Sequence, residues 1–224
     1  TVSGGGSIFL CDALHKSKKI KYVACHHEQA AAFAAESYSR AKNKPGAALV
    51  TSGPGGTNCV TGVSSCWIDS VPTIFISGQV NLNQTISNSK LRQVGVQEID
   101  IVNIVKSNTK YAVQINEPLD IKYHLEKAYE ISIEGRPGPV WIDIPADIQN
   151  AQIDLKKLKK YKYKKKIKQN SIIDKKIKKV AKLISKHKRP LIHVGQGVKI
   201  SNGEKYLREI INKYKIPFAL TWNA

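Results

Sequence analysis

Short β-branched runs alternate with helical periodicities along the whole of this 224-residue chain. That alternation narrows the fold class to α/β, with a mainly parallel sheet covered by helices on both faces. Strands are predicted near residues 21–25, 47–52, 73–77, 110–114 and 140–144, and helices near 8–14, 28–41, 55–68 and 119–133. The run Gly135-Arg136-Pro137-Gly138-Pro139 stops the last of these helices. Residues 1–150 therefore read as one domain, residues 151–170 as a lysine-rich linker, and residues 171–224 as the beginning of a second α/β domain. In that second part a helix at 172–186 leads into a strand and the turn Gly195-Gln196-Gly197, and a helix at 204–214 and a strand at 216–220 complete a βαβ unit.

The formal charge of +19 is unevenly placed: residues 156–189 hold seventeen Lys and Arg against the single acid Asp174, so +16 belongs to this segment. Within it Ile172, Ile173, Ile177, Val180, Leu183 and Ile184 recur at helical spacing, predicting an amphipathic helix with lysine on its wet face. Aromatic side chains able to stack on bases are confined there to Tyr161 and Tyr163, so a solvated surface is the reading, with RNA or an acidic surface as the alternative. No apolar run reaches the ~18 residues of a membrane span, and the first residues lack a basic-then-apolar leader, so the expected location is cytoplasmic. Cys11, Cys25, Cys59 and Cys66 form no CxxC pair and have no histidine at ligand spacing, which predicts reduced thiols and no metal site. The chain contains no Met and opens on Thr1-Val2-Ser3, as a fragment would.

The most informative local pattern is Thr51-Ser52-Gly53-Pro54-Gly55-Gly56-Thr57-Asn58, a strand delivering the chain into a glycine turn that opens a helix. Free N–H groups and the helix dipole make such turns anion sites, while close packing of helix on strand or a subunit contact would use the same glycines. Asn58 stands where GxGxxG requires its third glycine, Ile200 does so after Gly195-Gln196-Gly197, and no GxxxxGK[ST] occurs. Dinucleotide and P-loop readings are thereby disfavoured. Glu28 opens an alanine-rich helix after His26-His27, where a glutamate serves either the helix dipole or catalysis. The two adjacent histidines make a poor metal pair because extended backbone points them apart.

Taken together, Ser3-Gly4-Gly5-Gly6, His27-Glu28-Gln29-Ala30-Ala31, the glycine turn, Asp69-Ser70-Val71-Pro72, Gln97-Glu98 and Gly135-Arg136-Pro137-Gly138-Pro139-Val140-Trp141-Ile142-Asp143-Ile144-Pro145 resemble the N-terminal pyrimidine-binding domain of thiamine-diphosphate enzymes. Among these the sequence is most similar to the large catalytic subunit of acetolactate synthase. The resemblance covers residues 1 to about 150 and, less specifically, continues from Lys188 into that family's central domain. It implies that Glu28 is catalytic, sharing a proton with N1′ of the cofactor's aminopyrimidine. It implies further that Gly5, Thr51, Pro54 and Asn58 lie about that ring and that Gln97 is the family's active-site glutamine. The diphosphate and its Mg²⁺ would be held by a C-terminal domain through a Gly-Asp-Gly motif that this sequence lacks, so no metal ligand is expected here. FAD in the central domain is left open by the same resemblance.

The function so implied is decarboxylation of a 2-oxo acid such as pyruvate and transfer of the two-carbon unit to a second one, in a homodimer or homotetramer. Acetolactate synthases commonly carry an aromatic residue before the Gln-Glu pair, whereas this chain has Val96, which bears on the 2-oxo acid accepted. Alternatives are a simple decarboxylase of another 2-oxo acid and a non-catalytic basic interaction module.

Overall fold

A computed structural model describes residues 1–86, 89–163 and 171–222. It divides into two compact units, Thr1–Tyr163 and Lys164–Ala224. In the first, the elements are α1 (Ile8–Lys16), α2 (Glu28–Lys42), β1 (Gly46–Val50), α3 (Pro54–Thr57), α4 (Val60–Asp69), β2 (Thr73–Gln79), α5 (Ile101–Val105), β3 (Tyr111–Gln114), α6 (Ile121–Ile133), β4 (Val140–Pro145) and α7 (Ala146–Gln149). The four strands form one parallel sheet in the order β1-β2-β4-β3. Gly46 to Val50 pair with Thr73 to Ser77, and Ile74 to Gln79 with Val140 to Pro145.

Because side chains alternate along a strand, this register gives the sheet two apolar faces. One presents Ala48, Val50, Phe75 and Trp141 to Ala32 and Ala35 of α2, Val63 and Cys66 of α4, and Ile101 and Val105 of α5. The other presents Ile74, Ile76, Val140, Ile142 and Ile144 to Ala128 and Ile131 of α6, Leu10 of α1 and Ile148 of α7. Phe75 and Trp141, both fully buried, stack with ring centroids 5.5 Å apart. The alanines of α2 combine high helix propensity with side chains short enough to let the helix lie close on β1. Arg40 then bridges α2 to α4, reaching Glu36 at 2.5 Å and Asp69 at 2.6 Å.

Two expectations are corrected. Residues 21–25 form no strand: Cys25 donates to the Thr1 carbonyl at 2.9 Å and the Thr1 amino group to the Val23 carbonyl at 2.8 Å, with no ladder beyond. Val23 is 75% exposed, so the β-branched pattern there has no core face to cover. The helix expected over 55–68 is two helices, α3 and α4, divided at Asn58 and Cys59. Gly55 and Gly56 weaken the first turn, and the Cys59 N–H donates to the Gly56 carbonyl three residues back rather than four.

The second unit contains α8 (Ser171–Lys186), β5 (Ile192–Val194), α9 (Gly197–Ile200), α10 (Glu204–Tyr214) and β6 (Phe218–Leu220), with β5 and β6 paired in parallel. The apolar stripe predicted on α8 is present and stands exposed, from Ile172 at 60% to Ile184 at 37%. Residues 164–170 of the basic segment lie outside the described residues. Just before them, Lys159 donates to the Leu119 carbonyl and pairs with Asp120, while the Tyr161 N–H donates to Glu126. Among the described residues no helix is long and apolar enough to cross a membrane.

Candidate active site

The site lies where β1 ends, outside the carboxyl edge of the parallel sheet, where ligands of open α/β sheets bind. From β1 the chain runs through Thr51 and Ser52 to Gly53, whose φ of 57° and ψ of −122° turn it sharply. A Cβ at Gly53 would stand 2.2 Å from the carbonyl oxygen of Gln97, so a glycine there is what lets the Gln97 loop rest on the turn. Pro54 starts α3, where its missing N–H costs nothing, and its side chain is exposed. Thr51 Oγ1 accepts the Gly6 N–H at 3.1 Å, which brings the glycines of residues 4–6 onto the end of β1. A Cβ at Gly5 would meet nothing within 4 Å, so Gly5 borders open space.

Glu28 opens α2, whose N-cap is His27: its Nδ1 accepts the Gln29 N–H at 3.1 Å. This gives His27 a capping role rather than a ligand's. Asn58 Nδ2 donates to Glu28 Oε2 at 2.9 Å, tying the half-buried carboxyl to the glycine turn thirty residues away. The other oxygen, Oε1, lies 3.5 Å from where a Gly55 Cβ would stand and has no hydrogen-bond donor among the described residues. Beneath it Cys59 Sγ donates to the Glu28 main-chain carbonyl at 3.4 Å. Burial, and after it the Glu28 charge, push that thiol up to about 12, so it is neutral at physiological pH.

Glu28, Gly5, Thr51, Pro54 and Asn58 are thus gathered about one glycine turn, and Gln97 sits over Gly53 with a φ of 59°. Cys59 and Cys66 are buried and Cys11 and Cys25 half-buried, all four unbridged. Among the described residues no group of three or more His, Cys, Asp or Glu is placed to hold a metal ion.

A buried polar cluster beneath the Gln97 loop escaped the sequence reading. Asp143, in the middle of β4, accepts from Ser77 Oγ at 2.5 Å and Gln79 Nε2 at 3.1 Å, and Trp141 Nε1 donates to Ser77 at 2.8 Å. Gln79 Nε2 also donates to the Ile99 carbonyl at 3.0 Å, so the cluster reaches the loop. The available signal was a lone acid in the otherwise apolar run Val140-Trp141-Ile142-Asp143-Ile144.

The family model for the thiamine pyrophosphate enzyme N-terminal TPP binding domain matches residues 1–104, and that for the thiamine pyrophosphate enzyme central domain matches residues 177–224. The chain belongs to the thiamine pyrophosphate enzymes, with a TPP-binding N-terminal domain joined to central-domain sequence. Within that family it is related to acetolactate synthase large subunits from many taxa. It is 38% identical over 224 residues to the probable acetolactate synthase large subunit of Methanocaldococcus jannaschii, covering 97% of this chain and 36% of that protein. It is 34% identical over 229 residues to the mitochondrial acetolactate synthase catalytic subunit of Saccharomyces cerevisiae, covering 97% of this chain and 32% of that protein. With the large subunit of Buchnera aphidicola it shares 36% over 222 residues, covering 96% of this chain and 37% of that protein. The chain therefore spans about a third of the length of these relatives.

Proposed function

We propose that this chain forms the aminopyrimidine side of the active site in a thiamine-diphosphate-dependent carboligase of acetolactate synthase type. The reaction is decarboxylation of a 2-oxo acid, with pyruvate the first candidate, followed by transfer of the two-carbon unit to a second 2-oxo acid. The observation that carries this reading is the carboxyl of Glu28, oriented by Asn58 and left, among the described residues, with no donor to Oε1 against the glycine turn. A planar heteroaromatic ring fits that setting, because one carboxyl oxygen is occupied by an amide donor and the other is available beside residues with little or no side chain.

Glu28 would hold the ring through Oε1, with Asn58, Pro54, Thr51 and Gly5 about it and Gln97 on the side of the incoming substrate. Thiamine diphosphate, when bound, supplies the electron sink that loss of CO₂ from a 2-oxo acid requires. Asn58 keeps Oε2 as an acceptor, so a proton taken up by Glu28 would reside on Oε1, the oxygen that would hold the ring. The neutral Cys59 thiol below adds no second charge to the site. Mg²⁺ and the diphosphate are assigned to residues beyond this chain, and a second copy of the protein is the proposed source of that half of the site.

The test is product analysis with the complete gene product, thiamine diphosphate, Mg²⁺ and pyruvate labelled in its carbon skeleton. Acetolactate is the expected product. Acetaldehyde with no carbon–carbon bond formed would make the protein a simple decarboxylase, and cofactor binding without pyruvate consumption would move the substrate to another 2-oxo acid.

A further inference from the structure

Gln97 lies in a stretch between β2 and α5 that has no strand and only one short 3-10 turn among its described residues, yet its main chain adopts a left-handed conformation over Gly53. That position must be held by something other than a regular element. The next residue, Glu98, is 8% exposed and turns its carboxylate back into the loop. Oε1 accepts the Ile86 N–H at 2.9 Å, and Oε2 faces the Val94 N–H at 3.5 Å. Its own N–H donates to the Gly95 carbonyl at 3.2 Å, closing a tight turn over Val96 and Gln97. From below, Gln79 Nε2 holds the Ile99 carbonyl.

Glu98 forms no ion pair among the described residues, and its two carboxylate oxygens face the backbone N–H groups of Ile86 and Val94. A buried carboxylate is unfavourable unless such groups replace its water, and charge-assisted hydrogen bonds to them are among the stronger kind. Here those bonds join Ile86 and Val94, on the incoming limb of the loop, to the residue that follows Gln97. We propose that Glu98 is a positioning residue, whose carboxylate clamps this loop and thereby sets Gln97 at the mouth of the Glu28 site. The inference rests on the reading of Gln97 as substrate-facing.

The experiment compares Glu98→Ala, Glu98→Gln, Gln97→Ala and the Gln97→Ala/Glu98→Ala double variant of the complete gene product. It uses amide hydrogen exchange without substrate and steady-state kinetics on pyruvate with thiamine diphosphate and Mg²⁺. Glu98→Ala is expected to lose exchange protection at Ile86 and Val94 while β1, β2 and β4 keep theirs. It should also lower kcat/KM by on the order of tenfold, chiefly through KM. Glu98→Gln, which keeps an acceptor for Ile86, should restore most of both. In the Gln97→Ala background the further loss of Glu98 should add nothing. Unchanged exchange at Ile86 and Val94, or losses that multiply in the double variant, would overturn the clamp. Wild-type turnover in Gln97→Ala would instead remove the reading of Gln97 on which the clamp depends, a failure distinct from impaired Gln97→Ala beside normal Glu98→Ala.

Discussion

The two units of this chain use the same alternation of strand and helix and end in different states of burial. In the N-terminal unit Trp141, Phe75, Val50, Val63 and Ile142 are fully buried between sheet and helices. In the C-terminal unit only Val194 and Ile216 are buried hydrophobics among the described residues, and Ile172, Ile173, Ile177, Val180, Leu183 and Ile184 of α8 are exposed. Amphipathic periodicity specifies a face, but burying it takes a second apolar layer, which four paired strands supply and two do not. The functional consequence is that the N-terminal unit offers a rigid sheet edge on which Glu28 and the glycine turn can be held, since site geometry follows the packing beneath it.

The largest effect is expected at Trp141. Trp141→Ala removes a fully buried ring stacked on Phe75 and leaves the Ser77 hydroxyl without its indole donor. A loss of about 3–5 kcal/mol is expected, read as an earlier denaturant midpoint for loss of near-ultraviolet circular dichroism.

A second effect is specific to the buried cluster. Burial, opposed by the Ser77 and Gln79 hydrogen bonds and reinforced by the charges of Asp100 and Glu98, raises the Asp143 carboxyl from 3.8 to about 7. A carboxyl whose folded pKa exceeds its unfolded value binds more protons when folded, so its stabilising contribution is complete below about 3.8 and is lost as pH rises through about 7. Thermal midpoints should therefore fall over that window in the wild type, and Asp143→Asn should flatten the dependence. The smallest effect belongs to the other unit: in this 224-residue chain Leu183→Ala, at a position 47% exposed, should change stability by no more than about 0.5 kcal/mol in the same denaturation experiment.

What was legible in the sequence follows from which features are local. The β-branched runs around 73–77 and 140–144 showed two of the strands, and Pro54 and the glycines around it showed the turn. The apolar content of residues 21–25 was equally visible, but the absence of a face to bury there depends on where the rest of the chain goes. Site residues near one turn, such as Thr51, Pro54 and Asn58, are close in sequence and could be named from their pattern and resemblance. The hydrogen bond from Asn58 to Glu28 and the clamp from Glu98 to Ile86 join separate segments, so no local pattern encodes them. Asp143 was hidden for a related reason, since its two donors come from a neighbouring strand.

The most direct test of the account is Glu28→Gln in the complete gene product, with turnover of pyruvate, thermal midpoint and thiamine diphosphate affinity measured together. Glutamine keeps the acceptor for Asn58 but carries no exchangeable acid proton at the position of Oε1. Turnover is expected to fall on the order of 10²- to 10⁴-fold with the thermal midpoint unchanged, the range for removing a general acid–base group. Turnover within about threefold of wild type would contradict it and leave Glu28 as a helix-opening residue only.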